Sequence, residues 1–143
     1  MWRKTFYIII IIMIDQQSLA ARLHNVKQFT KLPQETLINI VSSGKIRHYK
    51  RGEFIFHEED ACAGMFVLIE GQVDLCILGP EGQLSILATL KPVIMFNEVA
   101  VLDGGPNPVS AVATTDITVW HISYTKFQEL LLAIPQVGIG LLS

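Results

Sequence analysis

Phe96-Asn-Glu-Val-Ala-Val-Leu-Asp-Gly-Gly-Pro-Asn-Pro-Val-Ser-Ala-Val-Ala113 changes character twice along its length. Glu98 to Leu102 reads as about one turn of helix with an acid at its start. Asp103 to Pro108 holds two glycines and two prolines and cannot continue regular structure. From Val109 to Ala113 the residues are small or β-branched, as in a strand entering a core. A short helix with free backbone N–H groups at its start, followed by a loop and then Ser110, is either an anion cradle or a plain surface turn.

Working outward, Ile46 starts a run of short alternating segments. They are separated by turn signals at Lys50-Arg-Gly52, Glu58 to Gly64, Glu70-Gly71, Leu78 to Gly82 and Lys91-Pro92. Strands this short and this evenly spaced predict a β-sandwich or jelly-roll barrel. Ile117-Thr-Val-Trp-His-Ile122 alternates cleanly and reads as the last strand.

Helical patterns flank the strands. Ser18 caps an expected helix over Leu19–Asn25. Pro33 opens a second, Pro33 to Ser42, with Leu37, Ile40 and Val41 on one face and Gly44 expected as a left-handed C-cap. Ser123 is the expected N-cap for Tyr124–Ala133, whose buried stripe is Phe127, Leu130, Leu131 and Ile134. After Pro135, Gln136 to Leu142 is expected to be a short or frayed helix, because Gly138 and Gly140 weaken it.

Three stretches in order carry a family resemblance. They are Gly52-Glu-Phe-Ile-Phe-His-Glu-Glu-Asp60, then Met65-Phe-Val-Leu-Ile-Glu-Gly-Gln-Val-Asp-Leu75, then the segment from Phe96 to Ala111. Together they resemble the cyclic-nucleotide-binding domain, in particular the sensor half of Crp/Fnr-type transcription regulators, over about Phe29 to Leu142. The resemblance implies a mainly β fold with flanking helices. This is a β-roll of about eight strands, a jelly-roll-like double-stranded β-helix. It also implies a ligand site at Phe96, Asn97, Glu98, Val99, Ala100, Val109, Ser110 and Ala111. There Glu98 matches the acid that accepts a ribose hydroxyl, and Ser110 the residue that contacts the phosphate. The bland alternatives are that Glu98 only favours the positive end of the short helix, and that Ser110 only satisfies a nearby backbone group.

Departures from the pattern bear on the ligand. Arginine is expected where Val109 stands, glycine where Asn97 stands, and a second glycine at Glu59. The loop around Asn107-Pro108 is longer than usual. Losing the arginine removes charge-assisted contacts worth roughly 1.5–3 kcal/mol each. Residues 1–51 hold nine of the 11 Lys and Arg against two acids. Residues 52–143 hold Lys91 and Lys126, no arginine and 11 acids, a net of −9. A cyclic nucleotide is therefore disfavoured as ligand, and the expected partner is an unidentified small effector. The basic cluster Lys45-Ile-Arg-His-Tyr-Lys-Arg51 reads as a solvated face.

Other function classes find little support. Two cysteines, Cys62 and Cys76, make neither a disulfide framework nor a four-cysteine iron–sulfur site, and they fit a reducing, cytoplasmic setting. The four histidines lack the His-x-His spacing of a cupin-like metalloenzyme, the least favoured alternative. No nucleophile motif is present, so the chain is read as a non-catalytic sensor. The first 14 residues are expected to form an apolar tail, a start-site artefact if Met13 is the natural start, because Phe6 to Ile14 is half a bilayer span. The expected sensor domain covers residues 15–143, with no helix-turn-helix and no specific DNA binding by this chain alone. In a full-length parent the resemblance implies a homodimer. No membrane association is expected.

Overall fold

The computed structural model describes residues 16–142. The tail expected over residues 1–14 lies outside them. Helix α1 covers residues 16–23, and a 3-10 turn follows at Lys27–Phe29. Then come α2 (Gln34–Ser42), β1 (Lys45–Tyr49), β2 (Phe54–Phe56), β3 (Met65–Glu70), β4 (Val73–Leu78), β5 (Leu84–Leu90) and β6 (Ile94–Phe96). The chain continues through α3 (Glu98–Asp103), β7 (Ser110–Ala113), β8 (Ile117–Ile122), α4 (Tyr124–Ala133) and α5 (Pro135–Leu142).

The strands form two four-stranded antiparallel sheets, ordered β1-β8-β3-β6 and β2-β7-β4-β5. Consecutive strands repeatedly change sheet, as a β-roll requires. Alternation along β3 explains why two cores form. Met65, Val67 and Ile69 face the helices, where they join Leu23, Phe29, Ile40, Trp120 and Phe127. Phe66 and Leu68 point the other way, into the space between the sheets, with Phe56, Val73, Phe96, Ala111 and Val119. Phe56, Phe66 and Phe96 stack there with centroids 5.2–6.1 Å apart. A strand buried on both faces reads as an unbroken apolar run, as Met65 to Ile69 does.

Two expectations about the helices are corrected, and a third, of a short or frayed last helix, is met in its length alone. The first helix ends at residue 23 and gives way to turns rather than running to Asn25. Gly44 is not a left-handed cap: Ser43 closes α2 in right-handed geometry. Glycine is needed at position 44 because a Cβ there would lie 2.5 Å from the Trp120 ring. Helix α5 is helical throughout Pro135–Leu142, with Val137 fully buried. Packing against α4 outweighs its weak propensity. A Cβ at Gly138 would sit 3.2 Å from Leu131, so the small residue admits that contact.

Edge strand β5 is exposed along most of its length, with Leu84, Ile86 and Leu87 each 50–62% accessible. No helix among the described residues is long and apolar enough to cross a membrane.

Candidate functional site

The chain from Phe96 to Ala111 crosses the mouth of the roll, and its residues part company there. Phe96 is buried in the aromatic stack, and Ala100 and Ala111 are buried as well. Asn97, Glu98, Val99 and Val109, together with Phe96, line a cavity of ≈ 310 Å³. Leu75 from β4, Leu90 from β5, Ile94 and Met95 from β6, and Pro108 complete its wall. Leu75, Leu90, Ile94, Met95 and Pro108 were not among the expected site residues. Their only signal was an apolar side chain, on a strand for all but Pro108, which most core residues share.

Ser110 does not face this cavity. It is 4% exposed, and its Oγ accepts a hydrogen bond from the Glu58 N–H at 2.9 Å. The Glu58 carboxylate in turn accepts from the Leu78 N–H at 2.6 Å, linking that turn to β4. Of the two roles open to Ser110, the structure displays the backbone-satisfying one.

Asn97 takes the left-handed conformation a glycine would adopt, φ 67°, which asparagine tolerates better than most residues. Its Nδ2 donates to the Gly64 carbonyl at 2.8 Å and to Asn107 Oδ1 at 3.0 Å. Its Oδ1 is buried without a partner among the described residues. Glu59, at the other departed glycine, is likewise left-handed at φ 69°.

Asn107 is the hub of this region. It is 1% exposed. Its Nδ2 donates to the His57 and Ala61 carbonyls, at 2.9 and 3.4 Å. Its Oδ1 accepts from the Ala63 N–H at 3.0 Å. Its backbone pairs with Asp60 O and the Glu59 N–H. The longer loop thus has a structural use: it inserts an amide that ties residues 57–63 to the cavity's rim. Sequence reading noted the extra length but not the partner, which lies more than 40 positions away.

The cavity's electrostatics are one-sided. Among the described residues no Lys or Arg lines it, and Glu98 is the one ionisable residue that does. Among the described residues Glu98 forms no ion pair. No group of three or more His, Cys, Asp or Glu among them is placed to hold a metal ion.

Comparison with known proteins gives the family. The cyclic nucleotide-binding domain profile matches residues 46–133. The chain belongs to the cyclic nucleotide-binding domain family. It is 30% identical over 92 residues to the cyclic AMP receptor protein of Thermus thermophilus, across 64% of this chain and 43% of that protein. Over 69 residues it is 29% identical to a CRP-like cAMP-activated global transcriptional regulator of Mycobacterium tuberculosis, across 48% of this chain and 31% of that protein. The chain therefore spans less than half the length of these curated relatives. The crystal structure of the N-terminal domain of a Streptomyces coelicolor transcriptional regulator superposes with a TM-score of 0.74 at 28% identity. That match covers 84% of each chain. Crp/Fnr-type sensor domains are thus its structural relatives, and the β-roll that the family resemblance implied is the observed fold.

Proposed function

We propose that this chain is the effector-sensing, non-catalytic part of a Crp/Fnr-type transcription regulator, and that its ligand is not a cyclic nucleotide. The observation that carries the second half is the cavity wall. It presents Val109 where a phosphate would need arginine, and Glu98 as the one charge among the described residues that line it. Ser110, matched to the phosphate contact, is buried against the Glu58 N–H and is absent from the cavity wall. Family membership and the regulators named above support the first half. The exposed apolar face of β5 and Leu132, 86% accessible on α4, suit a homodimer in a longer parent.

Isothermal calorimetry with cyclic AMP and cyclic GMP tests the reading. An arginine worth about 3 kcal/mol corresponds to roughly a hundredfold in affinity. We therefore expect no binding tighter than about 0.1 mM. Val109→Arg should raise the affinity. Low-micromolar binding by the unmodified chain would overturn the proposal. It would favour the second reading, a cyclic-nucleotide module with an atypical phosphate contact, which the names of both curated relatives support.

A further inference from the structure

We infer that the cavity beneath α3 takes a compact, apolar amine: a molecule with a hydrocarbon body, one ammonium group directed at Glu98, and no anionic group. This rests on the reading above that the cavity is the effector site, and it names the chemistry that site selects.

The walls argue first. Leu75, Leu90, Ile94, Met95, Val99, Pro108 and Val109 bring hydrocarbon from β4, β5, β6, α3 and the loop before β7. At ≈ 310 Å³ the space is at the small end of ligand sites. Such walls reward burial of an apolar body and offer a polar ligand little in exchange for its lost water.

Charge argues second. Glu98 is half-buried at the start of α3 and, among the described residues, lines the cavity with no cation on the wall beside it. The chain from residue 52 onward carries a net of −9, so the surrounding field also favours a cation. An anionic ligand would meet the Glu98 carboxylate at close range with no compensating side chain on the wall among the described residues. An ammonium there gains a charge-assisted hydrogen bond, about twice as strong as a neutral one.

The polar side chains nearby narrow the choice. Both Asn97 Nδ2 hydrogens are committed, to Gly64 and Asn107. Ser110 is turned to Glu58. Asn97 Oδ1 lacks a partner among the described residues but is itself buried, which leaves Glu98 as the acceptor that fixes the ligand's head group, and an acceptor selects donors.

The test is a methyl-detected NMR titration of the whole chain with three probes sharing one hydrocarbon body: 2-phenylethylamine, 2-phenylethanol and phenylacetate. Signals of Leu75, Leu90 and Ile94 should move, which places the binding in this cavity. At low ionic strength the amine should bind roughly tenfold tighter than the alcohol and about a hundredfold tighter than phenylacetate. Glu98→Gln should remove most of the amine's advantage while leaving the alcohol within about threefold of its original affinity. Val109→Arg should shift preference towards phenylacetate.

Phenylacetate binding as well as the amine would overturn the inference. So would an order unchanged by Glu98→Gln, or no saturation by any probe below about 10 mM. If those failures occur while cyclic nucleotides also fail to bind, only the amine assignment falls. Low-micromolar cyclic AMP binding would instead remove the reading beneath it.

Discussion

Asn107 shows how much one side chain can hold. Through its amide and backbone it satisfies groups on His57, Glu59, Asp60, Ala61 and Ala63, and it gives Asn97 a partner. Buried polar groups left without partners cost about 1–3 kcal/mol. Asn107→Ala strands the Ala63 N–H and the His57 carbonyl together, so we expect a loss of about 2–3 kcal/mol in urea unfolding. A loss below about 0.5 kcal/mol would mean that water or a rearranged loop replaces the amide. Asn97→Gly should be milder, because glycine adopts the left-handed conformation without strain and the buried Oδ1 that lacks a partner disappears with the side chain. The two asparagines, both in the stretch that departs from the family pattern, are therefore not equivalent.

Helix α4 is built as its sequence announces. The Ser123 side chain accepts from the Lys126 N–H at 3.2 Å and caps the first turn. Phe127 and Leu130 face the sheet, while Leu131 and Ile134 pack at its margin. Removing a capping hydroxyl costs about 1 kcal/mol, so Ser123→Ala should lower the unfolding free energy by that amount. Ser123→Asp, which can still cap and adds a charge favourable to the helix dipole, should restore it. An equal loss in both variants would show that packing, not capping, fixes this end. For helix α3, which joins the same core beside α4, the order of importance reverses. Helix α3 has only six residues and no side-chain cap, so buried Ala100 and Val101 must hold it in place. That makes the cavity's roof dependent on tertiary contact.

The two cores meet along β3 and β8, and the whole molecule's response to acid should originate near there. His121 on β8 lies against Phe66, with ring centroids 4.5 Å apart, and its Nε2–H donates to the Ala63 carbonyl at 2.6 Å. Burial lowers its pKa below the ordinary 6.5, and Arg47 adds to this. The Ala63 hydrogen bond opposes them without prevailing. The unfolded chain thus takes up a proton near pH 6.5 that the folded chain resists. Stability contributed by the neutral ring is complete above that pH and is lost as pH falls below it. Thermal melts between pH 8 and pH 5 should show a decline below about 6.5 that His121→Gln flattens. An unchanged slope in the variant would assign the decline to other groups.

Period and punctuation made the architecture readable. Glycine and proline marked the strand ends from Lys50 to Pro92, and alternation marked β8. The helix stripes gave α2 and α4 nearly to the residue. These signals are local, because backbone conformation responds to neighbours within a few positions. The site was legible only in part: Glu98 and Val109 do line a cavity. Yet the direction of Ser110 depends on Glu58, 52 positions away. The use of Asn107 depends on residues 57 to 63, and the need for glycine at position 44 depends on Trp120. Each of these turns on which distant groups the folded chain brings within about 3 Å of one another. No local pattern encodes that distance; it is set by how the two sheets and the helices close on each other.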